Sequence, residues 1–230
     1  MPIHVQIPGR EVAIETADVL LPGSLALPAQ CRGLILFAHG SGSSRFSPRN
    51  VRVAETLGDA GLATLLFDLL SDEEADDQTN VFDVPLLASR LAMAAAWAGG
   101  EPELAELPLG YFGASTGAAA ALLAAAQRGH ADAIVSRGGR PDLVGTHLRE
   151  VRTPTLLIVG GRDKVVLELN RQALALLECE AELRIVEGAT HLFQEPGALD
   201  EVARVACDWF LDHVTQAVGD PGHSRRPHAR

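Results

Sequence analysis

"LPLGYFGASTGAAAALLAAAQRG", Leu107–Gly129, decides how this chain reads. It opens on an apolar run, Leu107–Phe112, of the kind that makes a strand buried on both faces. It closes on an alanine-dense run, Ser115–Arg128, and then Gly129. Alanine is the strongest helix former and glycine the usual helix stop. Between the two runs stands Ser115, flanked by Gly113 and Gly117 in the spacing G-x-S-x-G. So abrupt a passage from strand to helix forces the central residue into strained backbone angles, and glycines avoid the collisions that side chains would cause. The hydroxyl is then expected to stand proud of a sheet at the positive end of a helix, which is a nucleophile elbow. The competing reading is a glycine-rich turn whose serine merely caps the helix.

Working outward, three more runs are apolar throughout: Gly33–Ala38, Ala63–Phe67 and Thr155–Val159. Ala133–Ser136 and Leu183–Glu187 are weaker strand candidates, and the opening segment alternates as an antiparallel edge would. Helices are expected between them: from Ser47-Pro48 to near Gly61, over Val84–Trp97 with a stop at Gly99-Gly100, over Val166–Leu177 and over Ala198–Val214. Strand and helix alternate almost strictly, so the fold class is α/β, a mostly parallel, doubly wound sheet with right-handed crossovers. Ser71–Asn80 reads as a dense acidic loop. One domain is expected over 1–218, with 219–230 a polar, disordered tail.

A serine hydroxyl needs a base, and the base an orienting acid. In an open α/β sheet, ligands gather at the carboxyl ends of the strands. Downstream of Ser115, "TLLIVGGRD" places Asp163 just past one strand and "LRIVEGATH" places His191 just past the next. The order serine, acid, histidine is the one this strand–turn–helix arrangement uses. Each has a plainer alternative: Asp163 as a helix cap, His191 as a surface imidazole. Asp142 and Asp68 are rival acids; His130, His147 and His213 fall on helix ends or faces and are weaker bases. The oxyanion donors are expected to be the N–H groups of Thr116, after the serine, and of Ser41, in the loop "AHGSGSSRFSPRN". A phosphate-binding loop is the alternative there, but "HGSGSSR" fits neither G-x-x-x-x-G-K-[ST] nor G-x-G-x-x-G. Gly42, Arg45 and Arg137 are the candidate substrate contacts, with Arg140 also near the rim; solvated surface charge is the plainer account of the arginines. His39 is expected to hold the loop.

The bulk numbers set limits. The chain has 230 residues, 47% of them hydrophobic, and a net charge of −11. Such acidity disfavours a nucleic-acid partner and a place against anionic membranes. Three scattered cysteines without a CxxC argue against a disulfide framework and a zinc site, and no apolar run is long enough to span a membrane. A cytoplasmic protein is expected, with no metal and no organic cofactor. Neither oligomeric state nor substrate identity can be read.

"FAHGSGSS", "GYFGASTG", "VGGRD" and "GATHLF" together resemble the dienelactone hydrolase-like branch of the α/β-hydrolase superfamily, from about Gly33 to Phe210. The resemblance implies a single-domain α/β-hydrolase fold, with Ser115, Asp163 and His191 as nucleophile, acid and base and Ser41 and Thr116 as oxyanion donors. It implies hydrolysis of a small carboxylic ester, with lactones also in range. Two departures stand out: dienelactone hydrolases proper use a cysteine where this chain has Ser115, and an arginine shortly after the histidine where it has Glu195. Relatives are sometimes fused to phosphoribosyltransferase domains, for which this chain is expected to have no room. Only a short segment separates Ser136 from Pro154, so no large lid is expected. The readings left standing beside an esterase are an acyltransferase or peptidase on the same triad, or a non-catalytic binding protein of the same fold.

Overall fold

Eight strands form one sheet in the computed structural model, which describes residues 9–15 and 19–214. They are β1 (Arg10–Glu15), β2 (Leu20–Ala26), β3 (Leu34–Ala38), β4 (Ala63–Phe67), β5 (Leu109–Ala114), β6 (Ala133–Arg137), β7 (Thr155–Gly160) and β8 (Ala181–Val186), in the order β1-β2-β4-β3-β5-β6-β7-β8. β1 and β2 pair antiparallel, β2 runs antiparallel to β4, and every other pairing is parallel. The sequence-based expectation of an antiparallel N-terminal edge on a parallel sheet therefore holds.

The helices are α1 (Pro48–Asp59), α2 (Asp72–Ala75), α3 (Gln78–Val81), α4 (Val84–Gly100), α5 (Thr116–Arg128), α6 (Lys164–Leu176) and α7 (Ala198–Val214). A 3-10 segment, Pro141–Glu150, kinked at Gly145, fills the space after β6. Alternation along the central strands divides the core. Leu34, Leu36 and Ala38 join the layer under α4 and α5; Ile35 and Phe37 join the layer under α1 and α7. Phe37 and Phe112 meet on that second face with centroids 4.9 Å apart, a contact of about 1 kcal/mol beyond the area it buries.

Three expectations change in detail. β5 starts at Leu109 rather than Leu107: Pro108 has no N–H to give the ladder, although its carbonyl accepts the N–H of Leu34 at 2.8 Å. α4 runs on through Gly99 and Gly100 before Glu101 closes it. The acidic stretch from Ser71 is no loop. It is two single-turn helices, α2 and α3, the first begun by a capping box in which Ser71 and Glu74 satisfy each other's backbone. The segment 219–230 lies outside the described residues. Among the described residues no helix is long and apolar enough to cross a membrane.

The glycines around Ser115 are required by close approach. A Cβ on Gly113 would lie 2.4 Å from Ala118 Cα, and one on Gly117 would lie 2.2 Å from the carbonyl oxygen of Ala38. α5 therefore begins pressed against the ends of β3 and β5, and Thr116 through Ala125 are all buried. Each alanine methyl buried there contributes about 0.8 kcal/mol.

Candidate active site

Ser115 occupies the N-cap position of α5 with φ 52° and ψ −118°, yet its side chain makes no capping hydrogen bond. A non-glycine residue held there costs on the order of 1–3 kcal/mol. The turn is held by backbone bonds on both sides: the Ser115 N–H donates to the carbonyl of Arg137 at 3.2 Å, and its own carbonyl accepts from Arg140 at 3.2 Å. The reading of Ser115 as an ordinary helix cap fails on this geometry. The strained turn and the uncapped hydroxyl are those of an elbow.

The same holds for Asp163. It sits at the N-cap position of α6 without capping it. Its carboxylate instead accepts from His191 Nδ1 at 2.6 Å. A carboxylate can only accept, so Nδ1 carries the proton and Nε2 keeps its lone pair. The Asp163 side chain is 16% exposed and that of His191 40%, which leaves the imidazole reachable. The ring also lies against the turn that follows β6, since a Cβ on Gly138 would be 3.4 Å from His191 Cε1. Ser115 binds that same turn through Arg137, so serine and histidine flank one two-residue segment.

The rivals are engaged elsewhere. Asp68 pairs with Arg45, whose backbone N–H it also takes at 2.7 Å, and Asp142 pairs with Arg140. His147 pairs with Glu150, while His213 stacks on Trp209 and bonds its carbonyl. His39 links two loops: Nδ1 bonds the carbonyl of Gly40 at 3.1 Å and Nε2 accepts from the N–H of Leu69 at 3.1 Å. Burial lowers its pKa and keeps the ring neutral, as these two bonds require.

Ser41 and Thr116 are brought together, though in an unexpected way. The Ser41 N–H donates to Thr116 Oγ1 at 2.8 Å, so this amide already has an acceptor. The Thr116 N–H is the first of α5, where helix geometry supplies no partner. Gly42, at φ 65°, turns the loop and lines a cavity of about 480 Å³ walled by Phe46, Leu69, Leu70, Val81 and Leu87. That size suits a small ligand. Gly40, which lines this cavity, packs against the Ser115 turn: a Cβ there would lie 3.1 Å from Ser115 Cβ.

Two sequence expectations about arginines need correction. Arg45 is no free rim charge: it is tied to Asp68 and Glu11. Arg137 is not on a loop but is the last residue of β6, and it is 7% exposed.

The sequence reading missed Asn170 altogether and noted Glu195 only as a departure from the family. Asn170 is fully buried in α6 and donates to the carbonyl of Gly139 at 3.0 Å, tying the turn beside His191 to the helix that begins at Asp163. Glu195 accepts the N–H of Thr190 at 3.1 Å and so braces the histidine loop. Hydrogen bonds from Thr190 hold its carboxyl below the usual glutamate range. Phe193, at φ 53° and 2% exposed, anchors the same loop in the core. Among the described residues no group of three or more His, Cys, Asp or Glu could hold a metal ion.

Comparison with known proteins fits this geometry. A family profile described as "Alpha/beta hydrolase domain" matches residues 31–218. A crystal structure of dienelactone hydrolase from Anabaena variabilis is 51% identical with a TM-score of 0.86, covering 89% of this chain and 98% of that one. The chain belongs to the dienelactone hydrolase-like α/β hydrolases. This α/β hydrolase also shares its fold with Est1E from Butyrivibrio proteoclasticus, at 17% identity and a TM-score of 0.75 over 88% of this chain and 98% of that one. A Mycobacterium tuberculosis protein with the provisional name phosphoribosyl transferase is 58% identical over 205 residues, which is 89% of this chain and 46% of the relative. The chain thus spans about half the length of that curated relative.

Proposed function

We propose that this α/β hydrolase is a serine hydrolase that cleaves small carboxylic esters through an acyl-enzyme on Ser115. The observation that carries the reading is the Asp163–His191 bond of 2.6 Å, made by an aspartate placed to cap a helix and not capping it. With Nδ1 protonated and facing Asp163, His191 Nε2 takes the Ser115 proton as Oγ attacks the acyl carbon. The carbonyl oxygen becomes an oxyanion, held by the N–H groups of Thr116 and Ser41, whose partner until then is Thr116 Oγ1. The intermediate collapses, the ester C–O bond breaks, and the alcohol leaves with the proton from His191. Water then attacks the acyl-serine, again giving a proton to His191, and releases the acid. Among the described residues no hydrogen bond engages the Ser115 hydroxyl. In unliganded triads the serine–histidine bond is commonly loose and tightens with substrate.

The cavity beside the elbow, apolar on Phe46, Leu69, Leu70, Val81 and Leu87, supports a short acyl or alcohol group. A second reading, phosphoribosyl transfer, follows from the provisional name of the curated relative, less than half of whose length is matched. p-Nitrophenyl acetate and butyrate test the first reading. Hydrolysis is expected, and Ser115→Ala is expected to lower kcat by at least about a thousandfold with the fold retained by circular dichroism. A fluorophosphonate should label Ser115 in the wild type. Unlabelled Ser115, or full activity in the variant, removes the serine-hydrolase reading. Added hydroxylamine or an alcohol acceptor separates hydrolysis from acyl transfer by product.

A further inference from the structure

Most arginines around the site have an acid. Arg45 has Asp68 and Glu11, Arg90 has Glu74, and Arg140 has Asp142. In a chain with 30 Asp and Glu against 19 Lys and Arg, an arginine without one is conspicuous. Arg137 is such a residue. It is 7% exposed, its Nη1 is buried with no hydrogen-bond partner, and among the described residues no carboxylate pairs with it. The charge that acts on it is another cation, Arg49, whose Nε is likewise buried and unpartnered. Burial first, and then Arg49, push the Arg137 guanidinium down to about 10. A guanidinium taken out of water with no counter-ion costs several kcal/mol, and a like charge beside it adds to that cost. An anion facing both guanidinium groups would offset that cost.

The surroundings fit an anion. Arg49 lies in the first turn of α1, where the helix dipole is positive and its own N–H, ahead of the Asn50 amide that Ser47 caps, has no partner within the helix. Arg137 extends from the end of β6 on the α1 face, its carbonyl bonded to the N–H of Ser115. Two guanidinium forks suit the planar oxygens of a carboxylate or the tetrahedral ones of a phosphate. We propose that Arg49 and Arg137 form a site for a small oxyanion, a carboxylate or phosphate, beside the Ser115 turn; that the anion is carried by the substrate rests on the ester-hydrolase reading. The site draws on neither Arg45 nor Glu195, and it lies apart from the apolar cavity under the Ser41 loop.

The test has two arms. In the first, calorimetry measures binding of inorganic phosphate and of glutarate to the wild type, to Arg49→Met and to Arg137→Met. Binding is expected in the wild type, with affinity at least tenfold weaker in each variant. Arg49 is only partly buried, so Arg49→Met keeps the test valid if Arg137→Met fails to fold. In the second arm, kcat/KM is compared for mono-p-nitrophenyl glutarate and its neutral counterpart, p-nitrophenyl pentanoate. A substrate-borne anion predicts a charged-to-neutral preference of tenfold or more that Arg49→Met abolishes, with phosphate competing against the charged ester. Binding that Arg49→Met weakens, without any ester preference, keeps the site and assigns it to a free anion. No binding of either anion by the wild type, or binding that both variants retain, overturns the proposal. If neither ester turns over, the hydrolase reading fails while the calorimetry still decides the site.

Discussion

Six helices among the described residues begin on a serine or aspartate able to cap them; four are capped, α2 by Ser71 and α3 by Asp77 among them, and two are not. Ser47 and Asp83 accept the N–H three residues on, at 3.5 Å and 3.0 Å, and so begin α1 and α4 in the ordinary way. Ser115 and Asp163 stand in the same position before α5 and α6 and leave those amides alone. A cap is worth about 1 kcal/mol, so the second pair forgoes stability that the first pair supplies. The residue types are the same; what differs is that β5 and β7 end on the rim where His191 is held. A local sequence rule satisfied in four places and broken in two others marks the two residues that the candidate site draws on.

The largest effect should come from the uncapping acid. Asp163→Asn is expected to lower ester-hydrolysis kcat by on the order of 10⁴-fold, because an amide facing Nδ1 stabilises the wrong imidazole tautomer. Thermal unfolding should move little, since no cap is lost. A near-normal rate would place the orienting acid elsewhere and erase the contrast with Asp83. Next come two stability changes of opposite sign. Asp83→Ala should cost about 1 kcal/mol in denaturant unfolding and leave turnover unchanged. Ser115→Gly should gain about 1 kcal/mol while removing activity, because glycine accepts φ near 52° without strain. If Ser115→Gly were destabilising, the elbow would not be a strained turn. The smallest effect concerns His39, which links the Ser41 loop to Leu69. Its folded pKa lies below the ordinary 6.5, so the unfolded chain binds the extra proton first. Its contribution is fully present above about pH 6.5 and declines as pH falls through that value toward the lower, folded pKa. The wild type should lose stability between pH 7 and 5, and His39→Gln should flatten that slope in pH-dependent melts.

Much of this was legible in the chain itself, for reasons of pattern. Runs such as Ala63–Phe67, apolar but for Thr64, read as strands covered on both faces, and β4 has those bounds. Gly113 and Gly117 announced the elbow because close backbone approach tolerates nothing larger. The failures are equally physical. α2 and α3 are single turns with no buried residue, so they carry no hydrophobic period, and their caps were hidden in a run of acids. Arg137 read as a loop residue because a charge at a strand's end suggests the surface, and nothing local reveals that the fold buries it. Asn170 could not be found at all: a lone amide within a helical pattern looks solvated, and the carbonyl it holds belongs to Gly139, far back in the chain. The Ser41–Thr116 bond likewise joins residues 75 positions apart.

The wall of small side chains along α5 has a mechanical meaning. From Thr116 to Ala121 there is no long side chain whose rotamer could take up a misfit, so the depth at which the serine rides is fixed by main chain resting on main chain. Lengthening any one of those residues would lift the whole rod and carry the Ser115 hydroxyl with it. Tolerance for change in this α/β hydrolase therefore belongs to the loops in front of Ser115, and the segment behind it behaves as an anvil.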